Sequence, residues 1–336
     1  MRYQTTFPFF FLWLIAQALS EAGAQDRQIN TSIDASGLFD AQISNMEAIE
    51  AYDLLYRNER SILEDGQSAF SLTETVRILD SPRSDFALMV RLVEVDGATI
   101  IAESEYRNDV SQISSWNRIP SLTVHLYHSG RSMNWRVGMS RQEYVAKTHE
   151  EFRRLGHAID LRFTGISSFP RMTSVSKSHA EKVFLKLRTA VTGAKIQQDA
   201  AGEKVTVARE IPLNVEFFGK QKLATAFDIR SNLILEHRQH LMMRSPRYRP
   251  TLVEAIEWGN VNGIFVPTRV SGEKMTSKWN DEEIDSEIYE FDLKWVSVNE
   301  SVEAESVPFY RHPTYENLLK LVAFDQYETT AIAISR

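Results

Sequence analysis

Two histidine pairs, His125-x-x-His128 and His237-x-x-His240, have the spacing of metal ligands. Both fall in segments of strand-like alternation, where residues three apart point to opposite faces, so one ion cannot easily take both imidazoles. They read as ordinary surface or core histidines, and no metal site is expected. Ser174-Val175-Ser176-Lys177 matches the S-x-x-K of penicillin-recognising serine enzymes. It follows Phe169-Pro170 in a polar stretch, and the K-T-G and S-D-N partners are absent, as is any G-x-S-x-G elbow. Asp34-Ala35-Ser36-Gly37 faintly resembles an aspartic-protease loop. It has no second copy, and a lone aspartate cannot share a proton with a partner, so it reads as a turn. Asn280 to Glu283 with Asp285 is acidic enough to attract calcium weakly, yet lacks the fixed oxygen spacing and central glycine of a calcium loop. An acidic hairpin tip that keeps a sheet edge soluble is the simpler reading. The chain has no cysteine, which removes thiol nucleophiles, zinc-thiolate sites, disulfides and a lipidated N-terminal cysteine together. No catalytic constellation and no cofactor site follow from these residues.

What remains is aromatic. Trp135, Phe227, Trp258, Phe265, Phe291 and Trp295 all lie in segments that alternate with period two. If the sheet carrying them curls around a cavity, some of them line an apolar ligand pocket. The plainer reading, favoured for most of them, is core packed against helices.

The elements that position them follow from periodicity. Ala41 to Glu64 reads as a helix through Ile43, Met46, Ile49, Leu54 and Leu55, ended by Asp65-Gly66. Alternating strands follow around Phe70–Ile78 and Phe86–Leu92, with Asp96-Gly97 as a hairpin turn and a return through Ile100 to Tyr106. Leu122 to Leu126 and Met133 to Val137 flank a Ser129-Gly130 turn. Arg141 to Gly156 and Ser178 to Thr192 read as helices, forming an insert over about residues 140–195. Strands then resume through Val205–Phe217, Leu223–Phe227, Leu233–Leu235, Leu252–Trp258, Ile264–Val270 and Ile288–Val298. Pro267 marks an edge or a bulge. Tyr315 to Phe324 reads as a short terminal helix. The sum is an α+β fold: a curved antiparallel sheet or half-open β-barrel of about ten strands, with an N-terminal helix and a central helical insert over its concave face.

The N-terminus carries Arg2, then the apolar run Phe7 to Leu19, then Ala22-Gly23-Ala24, which fits a small-x-small cleavage site. Residues 1–24 therefore read as a signal peptide, 25–40 as a flexible lead-in, 41–307 as the domain and 308–336 as a C-terminal tail. The run is shorter than the roughly 20 residues a helix needs to span a bilayer, so the expectation is an exported protein, periplasmic or extracellular, with no transmembrane segment after cleavage. A net charge of −7 without a basic stripe argues against nucleic acid as a partner. The one basic cluster, Arg244, Arg247 and Arg249, reads as a solvated loop.

Three segments carry a resemblance to a known family. AIEWGNVNGIFVPTRVSGEK has a strand, an Asn-Gly turn, a proline and a basic residue on the return; YEFDLKWVSVNESV is a long closing strand ending in Val-Asn-Glu; ATAFDIRSNLILEHRQ is an earlier hairpin turned at an aspartate. With the order of elements, they resemble the LolA/LolB-like superfamily of lipoprotein carriers and their secreted relatives, over about residues 41–307. The resemblance implies a lipid or lipoprotein as ligand. The chain departs from the anchored acceptor in lacking a lipobox cysteine and from a minimal carrier in its longer helical insert. The function expected is a non-enzymatic extracytoplasmic carrier or sensor of an apolar ligand. The alternative is an envelope interaction or structural module with a filled core.

Overall fold

The computed structural model describes residues 33–64, 67–95, 98–99, 121–136, 142–144, 148–155, 160–166, 177–191, 194–215, 218–243, 248–277, 284–300 and 315–334. The chain enters through helix α1 (Ala35–Glu47), begun by Asp34, whose carboxylate accepts the Ser36 N–H at 3.0 Å. Leu38, Phe39, Ile43 and Met46 form its buried stripe. The helix starts inside the expected lead-in and stops at Glu47, where a single helix from Ala41 to Glu64 was expected. Tyr52–Glu64 is strand β1. The reason is burial on both sides: Leu54 and Leu55 are each fully buried although they point to opposite faces, so the alternation that marks a strand is blurred. The junction is held from the far end of the chain. Asn299 Oδ1 accepts the N–H groups of Glu50 and Ala51 at 2.7 and 3.2 Å, and its Nδ2 donates to the Ala48 carbonyl at 2.8 Å.

The remaining strands are β2 (Gln67–Ser81), β3 (Phe86–Val95), β4 (Ala98–Thr99), β5 (Ser121–His128), β6 (Arg131–Arg136), β7 (Gln142–Tyr144), β8 (Lys195–Gln198), β9 (Lys204–Val215), β10 (Phe218–Asp228), β11 (Ile234–Met243), β12 (Tyr248–Val261), β13 (Ile264–Ser277), β14 (Ile284–Val298) and β15 (Ile332–Ala333). Thirteen of them form one antiparallel path, β7-β6-β5-β3-β2-β1-β14-β13-β12-β11-β10-β9-β8, with β4 on β3 and β15 on β12. A sheet this wide curls under its own twist, and β7 and β8 are left as its two ends. The count exceeds the expected ten because β1 was hidden in the helix reading and β4, β7, β8 and β15 are too short to show a period. Asn262-Gly263 turns β12 into β13 with both residues at positive φ, 52° and 89°. The expected bulge at Pro267 is present: Trp258 pairs with Pro267 while Glu257 pairs with Arg269, leaving Thr268 as the extra residue. The Asp96-Gly97 turn, the Ile100–Tyr106 return and the tip before Ile284 lie outside the described residues.

The connection from β7 to β8 joins the two ends of the sheet and carries α2 (His149–Leu155), a 3₁₀ turn (Leu161–Phe163) and α3 (Lys177–Val191). The expected helix from Arg141 to Gly156 is therefore a strand followed by a shorter helix. Together with α1 these segments cover one face, here the inner face. Phe39 meets Phe227, Phe152 meets Tyr127, and Phe163 meets Phe184. The outer face is covered by α4 (Tyr315–Leu321), whose Leu318 and Leu321 pack with Val322 on Leu79, Leu88 and Leu126. The chain then runs as a strap. Lys294 Nζ donates to the Phe324 and Tyr327 carbonyls at 2.8 and 2.9 Å, Thr330 N donates to the Trp295 carbonyl at 2.7 Å, and β15 pairs with Gly259 and Asn260.

α2 is fixed to the inner face by charge. Asp80 on β2 is buried, bonded to His149 Nε2 and ion-paired with Arg153 Nε at 3.1 Å. Burial alone would raise its pKa; Arg153 and His149 outweigh that and hold the carboxyl below its ordinary value. The pair therefore contributes stability above the ordinary aspartate range, which is lost as pH falls through the lowered folded value. Asp80→Asn strands the Arg153 guanidinium, and urea denaturation at pH 7 should show a loss of about 3 kcal/mol, shrinking toward zero in strong acid. A loss under about 1 kcal/mol at pH 7 would show that the clamp is solvated.

Candidate functional site

The inner face carries one row of polar side chains that crosses the strands beneath the helices. Register fixes it: Tyr289 lies opposite Gly272, Gly272 opposite Glu254, Glu254 opposite His237, His237 opposite Thr225, and Thr225 opposite Val207. Residues paired across antiparallel strands share a face, so these six strands bring their residues side by side. Gly272 is what lets the row connect. A Cβ there would lie 2.3 Å from Tyr289 Cζ, so the phenol ring crosses β13 over bare backbone and its hydroxyl donates to Glu254 Oε1 on β12. Glu254, His237 and Thr225 are 0, 1 and 2 % exposed, and Thr225 Oγ1 lies 3.3 Å from His237 Nδ1.

Arg209 closes the row on β9, one inner-face position beyond Val207 and opposite Leu223. It is 9 % exposed, and its guanidinium carbon sits 5.5 Å from the Phe39 ring centre, a cation–π approach. Burial pushes its pKa down to about 10, which leaves it charged at neutral pH. Among the described residues no carboxylate pairs with it, and Nη1 is enclosed without a hydrogen-bond partner. His237 feels both effects: burial first, and then the Arg209 charge, lower its pKa to about 4, so the imidazole is neutral.

Four of the six aromatic candidates are buried, Trp258 at 5 % exposure the least so. Phe227 stands edge-on to Phe39 with ring centres 4.9 Å apart. Phe291 contacts Tyr56 and Tyr289 at 5.8 and 6.0 Å. Trp258 and Trp295 are pinned by their indole N–H groups, which donate to the Ile234 and Pro267 carbonyls, each at 2.7 Å. Trp258 also borders a cleft of about 310 Å³ with Asp228, Leu233, Glu257 and Ile334, beside β15. Phe265 is half-buried under α1, its backbone N–H and carbonyl both bonded by the Asn45 side chain at 3.1 and 2.7 Å. Trp135 lies in β6 opposite Val124, away from the others. Phe227 and Phe291 thus adjoin the polar row, and the two pinned tryptophans lie further along the inner face.

His125 is buried and His128, at the strand end, is half-buried; the two fall on alternate faces of β5. His237 belongs to the row, and His240 follows a register shift in β11. No group of three or more His, Cys, Asp or Glu that could hold a metal ion occurs among the described residues. Ser174 to Ser176 lie outside them. The sequence reading passed over Arg209, Glu254 and Thr225. The signal was parity: Val205-x-Val207-x-Arg209 and Leu252-x-Glu254-x-Ile256 place charges at positions whose neighbours two residues away are core.

No protein-family model matches the chain, and no curated protein matches it. Among solved structures it is similar to a LolA superfamily protein from Nitrosomonas europaea, at 10 % identity over 78 % of this chain and 94 % of that one, with a TM-score of 0.30. It is also similar to a protein described as an outer membrane lipoprotein-sorting domain from Vibrio parahaemolyticus (9 %, 85 % and 98 %, TM-score 0.35). A third is a DUF1329 family protein from Desulfovibrio piger (9 %, 82 % and 96 %, TM-score 0.33). The superfamily that the sequence resembles is therefore represented among these structures. The superpositions are loose, and no residue role is carried over from them.

The state of His237 has a thermodynamic consequence. Its folded pKa of about 4 lies below the ~6.5 of an unfolded histidine, so between those values the unfolded chain binds the proton more tightly. Stability should fall as pH drops from about 6.5 to 4, and His237→Gln should flatten that slope in thermal melts. An unchanged slope in the variant would mean that the acid sensitivity arises elsewhere.

Proposed function

We propose that this protein is a non-enzymatic carrier or sensor working outside the cytoplasm. It binds an apolar chain, a lipid or an acyl group, between the inner face of the sheet and the helices over it. The observation that supports this reading is how the face is closed. Helices from separate chain segments lie over it, with Phe39 of α1 seated on Phe227. Polar anchors hold α2 through Asp80, and the C-terminal part of α1 through Asn45 and Asn299. Among the described residues the start of α1 makes no polar bond to the sheet, and its ion pair with α3, Arg188–Asp40, is exposed, so this is where the cover opens. An acyl chain entering under Phe39 exchanges one apolar contact for another, and its own removal from water, roughly 0.8 kcal/mol per CH₂, drives binding. Phe227 and Phe291 flank that path; Trp258, Trp295 and Phe265 form its continuation. Residues 1–24 serve as the export signal, and the domain runs from α1 through the C-terminal strap. Among the described residues no helix is long and apolar enough to cross a membrane.

A second reading, an envelope interaction or structural module with a filled core, is favoured by one feature. Trp258 and Trp295 are fixed by backbone hydrogen bonds, as aromatic rings in a solid core are. Native mass spectrometry of the chain from Gln25, with organic extraction of what travels with it, separates the two. The carrier reading expects a stoichiometric acyl compound, or uptake of one sodium oleate per chain. A clean apo mass with no oleate uptake would leave the interaction module.

A further inference from the structure

We infer that Arg209 is the head-group site of the apolar ligand, and that this ligand is an amphiphile with an anionic end, a carboxylate or a phosphate. The inference rests on the carrier reading and names the chemistry of its site. Three observations carry it. Arg209 is buried to 9 % exposure on the inner face, with no carboxylate partner among the described residues and Nη1 enclosed without a bond. A buried guanidinium left in this way costs folding free energy, which an anion arriving from outside offsets. The row's carboxylate does not supply that anion: Glu254 takes the Tyr289 hydroxyl at the other end, with neutral His237 and Thr225 between them.

Position agrees with chemistry. Arg209 lies against Phe39, in the part of α1 that no polar bond among the described residues fastens to the sheet, so the guanidinium stands where the cover opens. Thr225 and the neutral imidazole of His237 adjoin it as further hydrogen-bonding groups. Leu223 stands beside it, with Gln239 of β11 between Leu223 and Leu252, and beyond the polar row Phe227, Ile256 and Val270 give the inner face buried apolar surface. An amphiphile lying with its anionic oxygens at Arg209 and its tail between Phe39 and Phe227 pairs each part with its own kind. The forked guanidinium suits carboxylate and phosphate alike, which is why both are named.

The test titrates the chain from Gln25 with sodium oleate, oleyl phosphate and oleyl alcohol, which share a tail and differ in the head, followed by native mass spectrometry. At least one anion should bind about tenfold or more tighter than the alcohol, as a charge-assisted bond to a buried group requires. Which anion wins identifies the head group. Arg209→Met should bind all three at the level of the alcohol, and Arg209→Lys should retain part of the preference. Because Arg209→Met removes an unpaired buried charge, its ligand-free melting temperature should rise. Equal binding of all three by the unaltered protein, or an anion preference that survives Arg209→Met, overturns the head-group site while leaving the carrier. A fall in melting temperature with loss of all three ligands shows that Arg209 is a structural residue and also overturns it. No binding of any of the three ends the carrier reading and this inference with it.

Discussion

β1 and β14 lie side by side from Tyr52–Val298 to Leu63–Ser286, although they come from opposite ends of the domain sequence. Each heads its own meander of antiparallel neighbours, β1-β2-β3-β5-β6-β7 on one side and β14 back to β8 on the other. Joining the meanders at their first and last strands places β7 and β8 at the two ends of the sheet. The chain between them must then cross from one end to the other, and it does so over the inner face as α2, the 3₁₀ turn and α3. The cover over the candidate site is thus a consequence of one long-range pairing. The same pairing brings Asn299 to the α1–β1 junction, where one side chain bonds three backbone groups and sets the direction in which α1 leaves the sheet.

The two faces are fastened by different physics. On the outer face the strap uses groups that irregular pairing sets free. A register shift after Asp53 leaves the Trp295 backbone N–H and carbonyl to bond Thr329 and Thr330. A shift at Glu257/Trp258 accompanies the Ile334 bond to the Trp258 carbonyl. Arg57 and Lys294 sit over the Phe324 ring at 4.6 and 4.3 Å and add charge-assisted contacts. Such bonds are directional and cooperative. Over β9 and β10, the inner face is held chiefly by ring contacts, which exchange readily for other apolar surface.

Much of this was legible in the sequence, and the misses have causes. β14 was read correctly because only one of its faces is buried, so Tyr289, Phe291, Leu293 and Trp295 alternate cleanly with polar residues. β1 was misread because the strap and the helices cover it on both faces, and its apolar residues then fall at spacings that a helix also produces. The turns at Ser129-Gly130 and Asn262-Gly263 were legible because positive φ restricts the residue types that fit. The aromatic candidates were found as buried strand residues, yet periodicity cannot say what a buried ring touches. Trp258 and Trp295 therefore looked equivalent to Phe227 until their indole bonds were placed. The polar row was written as charges at in-facing parity, but it becomes a row only when the six strands β9 to β14 are brought into register, and Gly272 gives no hint from sequence that a phenol will lie across it.

The row is costly by any account of folding. Glu254 is fully removed from solvent, Arg209 nearly so, and they sit at different places in the row rather than as a tight pair. A core made only for stability would place aliphatic residues at both positions, since buried charges rarely repay their desolvation. The cost is not spread evenly. Tyr289 reaches over Gly272 to satisfy one Glu254 oxygen, and Thr225 engages His237, so the part of the row toward β14 is knit internally. Arg209, whose Nη1 is enclosed without a hydrogen-bond partner, stands at the β9 end under Phe39. The anionic head group proposed above would offset the cost at Arg209, which the bonds within the row leave unmet.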